Sequence, residues 1–216
     1  MNFIFIILTF LISAVIARIL IPRILLISLR KKLFDIPDDR KIHKRAIPRL
    51  GGVSFFPTTL FAFCLVYAFR LLDGNSISTL YASYLLPELL LFACGMTLLY
   101  LTGIADDLVG VRYRQKFAIQ IFCACLFPLS GLWINDLYGL FGIHELSAYV
   151  GIPFTVLTVV FITNAINLID GIDGLASGLS SVALLVFTFL FISKGLWSYA
   201  MLSAGTFGVL VPFFYY

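Results

Sequence analysis

Four carboxylates gather in two short clusters, Asp106-Asp107 and Asp170-Gly171-Ile172-Asp173. The second cluster ends a series in which Asn164, Asn167, Asp170 and Asp173 recur at every third position. Oxygen donors of this kind suit a hard cation, since Mg²⁺ is usually held by one or two carboxylates together with substrate phosphates. Basic residues accompany them. Lys116 closes the stretch Arg112-Tyr-Arg-Gln-Lys116 just after the first cluster, and His43 and Lys44 lie in a loop from Asp35 to Gly52 that is dense in Arg and Lys. A divalent ion would neutralise charge on a diphosphate, the basic side chains would hold the rest, and one carboxylate would remain for proton or covalent work. The combination reads as phosphate chemistry.

Helical geometry limits how these groups can meet. Adjacent helical residues point about 100° apart, so Asp106 and Asp107 cannot both face one spot on a regular helix and are expected to divide roles. A helix C-terminus disfavours negative charge, so a positive partner is expected beside them. Residues at i and i+3 lie about 5 to 6 Å apart, but nine residues turn the face by half a circle. Asn164 through Asp173 therefore cannot share one regular helix, and Gly171 and Gly174 are expected to break it. The first loop ends in Pro48-Arg-Leu-Gly51-Gly52, where proline fixes the chain and the glycine pair lets backbone N–H groups approach an anion. Each segment has a plainer reading: a loop whose charge only fixes topology, two solvated acids at a helix end, and a polar helix terminus rich in turn residues. The third is the least favoured, because Asn164 and Asn167 interrupt an apolar run where polar groups need partners.

The elements that position these residues must lie largely in lipid. The chain is 61% hydrophobic and 12% charged, with a mean hydropathy of +1.05, which describes an integral membrane protein. A span needs about 20 apolar residues. Seven stretches qualify, near Phe3 to Ile21, Gly51 to Leu72, Tyr84 to Ile104, Phe117 to Ile134, Gly151 to Leu168, Leu175 to Ser193 and Tyr199 to Tyr216. Runs such as Phe154 to Ile162 are continuously apolar where a membrane β-barrel would alternate. The expected fold is all-α, a single polytopic helical bundle over residues 1–216. The first stretch lacks a positive start and runs on into Arg18 and Arg23, so it is expected to be an uncleaved anchor.

Lys and Arg collect on the cytoplasmic side. With the N-terminus outside, Arg18 through Arg49 put ten of the 15 positives inside and Arg112, Arg114 and Lys116 add three, leaving Arg70 and Lys194 outside. The same orientation puts all four aspartates inside, so the two clusters are free to converge. Topology and anionic headgroups account for the net charge of +4 without any nucleic-acid partner. Cys64, Cys94, Cys123 and Cys125 fall within spans, where Cys acts as a small hydrophobe, and no disulfide framework or zinc site is expected.

The Pro-Arg-Leu-Gly-Gly element, Ala105-Asp-Asp with its downstream Gln115-Lys116, and Asn164-x-x-Asn-x-x-Asp-Gly-x-Asp-Gly-Leu175 together resemble the polyprenyl-phosphate N-acetylhexosamine-1-phosphate transferases. That family includes the undecaprenyl-phosphate GlcNAc-1-phosphate transferases and the phospho-MurNAc-pentapeptide translocases. The likeness runs from about Asp35 to the end of the chain. It implies an enzyme of the bacterial inner membrane, working on the cytoplasmic side. Such an enzyme moves a sugar 1-phosphate, GlcNAc-1-phosphate by preference, from a UDP-sugar to undecaprenyl phosphate, with Mg²⁺ or Mn²⁺ as cofactor, and releases UMP for envelope glycan synthesis. On the resemblance, Asp106, Asp107, Asp170 and Asp173 are catalytic and Asp107, Asn167 and Asp170 bind metal. Lys44, His43, Asn164, Asn167 and Lys116 contact substrate. Whether the protein forms a homodimer is left open.

The family pattern continues with a further Gly-Asp-x-Gly-Ser loop and a basic or histidine-bearing loop that this sequence lacks, so the sequence is expected to be the N-terminal part of a longer protein. A CDP-alcohol phosphatidyltransferase fits less well: a single residue stands between Gly174 and Ala176, Ser177 occupies the place of an arginine, and no acid follows Asp173. A membrane transporter would also use intramembrane polar residues and broken helices, but near the midplane rather than at one surface.

Overall fold

The computed structural model describes residues 2–31, 33–35, 47–48, 50–73, 79–170 and 174–216. The expected all-α membrane fold is found. Seven helices run in order: α1 (Asn2–Arg30), α2 (Phe55–Leu72), α3 (Thr79–Val109), α4 (Tyr113–Leu129), α5 (Ala148–Ile169), α6 (Leu175–Ser193) and α7 (Trp197–Tyr215). Among the described residues six of them are long and apolar enough to cross a membrane. The fourth expected span is displaced. It forms α4, of 17 residues, about 26 Å long against a hydrocarbon core of about 30 Å. Its polar first turn, Tyr113 to Lys116, precedes the apolar run, and the chain turns at Ser130 and Gly131.

Two minimal antiparallel pairings supplement the helices. Two-residue strands β1 (Phe34–Asp35) and β2 (Ile47–Pro48) pair across the first loop, and an isolated bridge joins Asp136 to Glu145. The contacts divide the chain into two compact units, residues 1–77 with 169–216, and residues 78–168.

In the first unit α1 packs along α7 through small residues. Thr9, Ser13, Ala17 and Ile21, one face of α1 at four-residue spacing, are buried. Opposite Ser13 stands Gly208, where a Cβ would lie 2.3 Å from Ser13 Oγ and 2.5 Å from the Phe10 carbonyl oxygen. Association within lipid gains little from hydrophobic transfer and depends on such close backbone approach. The other face of α1 exposes Ile4, Leu11 and Val15, as a lipid-facing surface does. At the far end of α2, Arg70 is buried and donates through Nη1 to Ser198 Oγ, 3.1 Å away. Arg70, expected on the outer side, thus sits at a packed helix end.

In the second unit α3 and α4 form an antiparallel pair that meets tightly at Gly95, whose Cβ would stand 3.3 Å from Leu126 Cδ1. The Cys123 thiol donates to the Gly95 carbonyl at 3.4 Å. The connection from α4 to α5 is a hairpin, with Leu137 N–H donating to His144 O and Leu146 N–H to Asn135 O. Thr155 on α5 accepts from Ile134 N–H at 2.8 Å. Gly151 leaves room for the Trp133 ring and the Ile134 carbonyl, each 2.5 Å from where its Cβ would be.

Candidate active site

Asp106 and Asp107 lie in the last turn of α3, followed by Gly110 at φ 73°. That left-handed residue, which glycine adopts without a Cβ penalty, ends the helix and turns the chain back. After Gly110-Val111-Arg112, α4 begins and carries Lys116 back over the end of α3. Asp106 uses both carboxylate oxygens there: Oδ1 accepts from Val111 N–H at 2.9 Å and Oδ2 accepts from the Lys116 ammonium. The positive partner expected for the acidic pair is therefore Lys116. Both side chains remain about a third exposed, so the pair contributes little to stability by itself, about 0 to 1 kcal/mol. Its value lies in fixing an ammonium at a defined place. Asp107, half-buried, points away from Asp106 by helical geometry.

One turn further along α4 stands Gln120, a residue to which the sequence drew no attention. Its Oε1 accepts from Asn164 Nδ2 of α5 at 2.7 Å, and the same amide donates to Val160 O at 2.8 Å. Asn164 thus ties α5 to α4. Both donors of its amide are engaged within the protein, and its expected contact with substrate belongs to the proposal below. The signal was present, since Gln120 is a polar residue in an apolar run and needs a partner in lipid.

Toward the hairpin, α3, α4 and α5 border a narrow slot of about 30 Å³. Its walls are mainly apolar, with Leu91, Phe92, Met96 and Phe127 among them, and Glu88, Gln120, Ser130 and Thr163 are its polar lining.

The helix α5 ends at Ile169 and α6 starts at Leu175, so the expected break falls where the glycines stand. Gly174 caps α6 in the left-handed region at φ 73°. Asn167 is exposed near the end of α5, and Asp170, directly after it, is exposed too. His43, Lys44 and Asp173 lie outside the described residues. At the end of the first loop Leu50 adopts φ 75° before a 3-10 turn over Gly51–Ser54.

Among the described residues no three His, Cys, Asp or Glu side chains group closely enough to hold a metal ion unaided. Asp107, Asn167 and Asp170 each carry oxygen donors of the hard kind that Mg²⁺ prefers.

The model of glycosyl transferase family 4 matches residues 89–216, which takes in both aspartate clusters, Lys116, Gln120 and all of α4 to α7. The chain belongs to glycosyl transferase family 4. Among relatives of this family-4 protein is a probable undecaprenyl-phosphate N-acetylglucosaminyl 1-phosphate transferase of Bacillus subtilis, 30% identical over 88% of this chain and 49% of its own length. A phospho-N-acetylmuramoyl-pentapeptide-transferase of Staphylococcus carnosus is 28% identical over 99% of this chain and 65% of the relative. An undecaprenyl-phosphate alpha-N-acetylglucosaminyl 1-phosphate transferase of Yersinia pestis is 29% identical over 82% and 46%. The chain thus spans about half to two thirds of the length of these relatives.

Proposed function

We propose that this family-4 protein takes part in transferring a sugar 1-phosphate, GlcNAc-1-phosphate by preference, from a UDP-sugar to undecaprenyl phosphate. An oxygen of the lipid phosphate attacks the sugar-bearing phosphorus. A new phosphorus–oxygen bond forms, the bridge to the uridine phosphate breaks, and UMP leaves with the bridging oxygen. The observation that carries this reading is the Lys116–Asp106 pair, an ammonium held at the mouth of the α3–α4 turn beside a second aspartate. A basic first loop and cytosolic nucleotide sugars support a site on the cytoplasmic face of a bacterial inner membrane.

In this reading Lys116 neutralises a phosphate oxygen, Asp106 fixes Lys116, and Gln120 with Asn164 keeps α4 and α5 in register. Mg²⁺, when bound through Asp107, Asn167 and Asp170, would screen the diphosphate charge. The remaining expectations, substrate contacts at His43, Lys44 and Asn164 and a catalytic role for Asp173, belong to the same proposal. A phosphate monoester has its second pKa near 6, so the acceptor is already mostly dianionic at neutral pH and needs placement more than a strong base. Direct attack is therefore favoured over an aspartyl-phosphate intermediate.

A panel of radiolabelled UDP-sugars with undecaprenyl phosphate, on membranes carrying the protein, tests the reading. Lipid-linked label and UMP should form only with both substrates, and Asp170→Asn should abolish them while membrane insertion stays normal. Exchange of UMP into UDP-sugar without acceptor would refute direct attack, and normal turnover of Asp170→Asn would refute the site.

A further inference from the structure

We propose that Phe213 and Phe214, at the end of α7, are positioning residues that clamp the two glycine-bearing segments flanking the phosphate-handling loops. The inference rests on the transferase reading above for its chemical meaning. Its geometry lies wholly within the first unit.

Consecutive phenyl rings cover different segments. A Cβ on Gly51 would lie 3.2 Å from Phe213 Cε2, so the ring sits against bare backbone there. The Phe213 ring also meets Phe55 edge to face, with centroids 4.8 Å apart at 85°. Phe214 does the same on the other flank: a Cβ on Gly174 would stand 3.3 Å from its Cε2, and one on Gly178 would stand 3.7 Å from the same atom. Because neighbouring helical residues point about 100° apart, one rigid helix end touches both segments at once.

What the segments carry gives the contact its importance. Gly51 closes the loop that contains His43 and Lys44, and Gly174 follows Asp170 and Asp173 and caps α6. The backbone at Gly51 and the backbone at Gly174 are therefore both packed against the same end of α7. Leu50 supports this. A non-glycine residue at φ 75° is held only where its surroundings over-determine it. After the turn that follows it, Phe55 packs with Phe213 on Ala17, Ile21 and Val209. Gly51 and Gly174 thus have a second reason to be glycine besides approach to an anion: a side chain at either would meet a ring.

The test places spin labels at Gly52→Cys, where a side chain meets nothing within 4 Å, and Leu175→Cys. Cys64, Cys94, Cys123 and Cys125 are replaced by alanine and the protein is held in lipid nanodiscs. Phe214 is 63% exposed, so Phe214→Ala should fold. The label-to-label distance should be narrowly distributed in the parent, broaden in Phe214→Ala and further in Phe213→Ala, and narrow again in Phe214→Tyr. An unchanged distribution in both alanine variants overturns the clamp. In the transfer assay Phe214→Ala should raise the KM for UDP-sugar roughly tenfold, as expected for loosened placement, with its melting temperature unchanged and Phe214→Tyr restoring it. Broadened distances with unaltered kinetics also overturn the positioning role. A parent that releases no UMP under any substrate condition refutes the transferase reading instead, and the distances still decide the clamp.

Discussion

Lys116 reaches back over the Gly110-Val111-Arg112 turn to Asp106, so a cation on α4 and an anion on α3 are locked by the same residues that reverse the chain. Because both side chains are about a third exposed, removing either should shift the melting temperature little, in line with about 0 to 1 kcal/mol for such pairs. Catalysis should respond differently. Lys116→Ala and Asp106→Asn are each expected to slow transfer at least about tenfold, or ~1.4 kcal/mol of barrier. The double variant should be hardly worse than Lys116→Ala alone, because Asp106 acts through Lys116. A double-mutant cycle on the UMP release rate measures this, and full additivity would contradict it.

The Gln120–Asn164 bond makes a prediction about stability. Gln120→Leu leaves an amide without its partner in an apolar setting. The loss should be about 1 to 3 kcal/mol by soluble-protein precedent, and nearer ~0.6 kcal/mol by the average for helix-to-helix bonds in membranes. Replacing both residues with leucine removes the orphan and should recover part of that loss. Thermal unfolding in detergent of the two single variants and the double variant reads the coupling. Equal and additive losses would mean that the bond is not shared.

Glycine contrasts test the α1–α7 seam. At Gly208 a single added carbon would press on the Ser13 hydroxyl and on the backbone carbonyl of Phe10, which has no side-chain freedom to yield. Gly208→Ala should therefore cost about 1 to 3 kcal/mol or more, as overpacking does, and lower the folded yield. Gly52→Ala, where nothing lies within 4 Å, should be close to neutral. Comparable yields for the two would show that the seam is looser than the structure has it.

How far these features could be read beforehand follows from sequence separation and from the lipid setting. The Asp106–Lys116 pair and the break between α5 and α6 are local, governed by helix-end electrostatics and by Gly110 and Gly174, and both were legible. The α1–α7 contact was not. Both helices are apolar on all sides because lipid replaces water, and no polar face shows which stripe packs inward. Gln120 and Asn164 stand 44 residues apart, so each could be read only as a polar residue in need of some partner. The α4 boundaries were misplaced because an apolar window passes over the polar first turn at Tyr113 to Lys116 and runs on past the Ser130-Gly131 turn. The rings of Phe213 and Phe214 looked like two more apolar residues in a span, since only three-dimensional placement shows that they lie on Gly51 and Gly174.

Asp170 and Asp106 should differ in what they do to the metal requirement. Asp106 already spends both oxygens on Val111 N–H and Lys116, whereas Asp170 is exposed at the C-terminal end of α5, where the helix dipole adds to its negative charge. Chelation should stop UMP release, and adding Mg²⁺ back should restore it. Asp170→Asn is expected to abolish transfer at the Mg²⁺ concentration that saturates the parent and to recover part of it only at about tenfold more Mg²⁺ or beyond, the scale of losing one good ligand or its support. Asp106→Asn should lower the rate at saturating Mg²⁺ and leave the Mg²⁺ concentration for half-maximal rate nearly unchanged. Loss of activity in Asp170→Asn cannot be put down to unfolding, because removing a negative charge from a helix C-terminus should stabilise the protein by about 0.3 to 1 kcal/mol. A Mg²⁺ titration of the two variants side by side decides the matter: if Asp106→Asn moves the midpoint and Asp170→Asn does not, the metal is held by Asp106 rather than by Asp170.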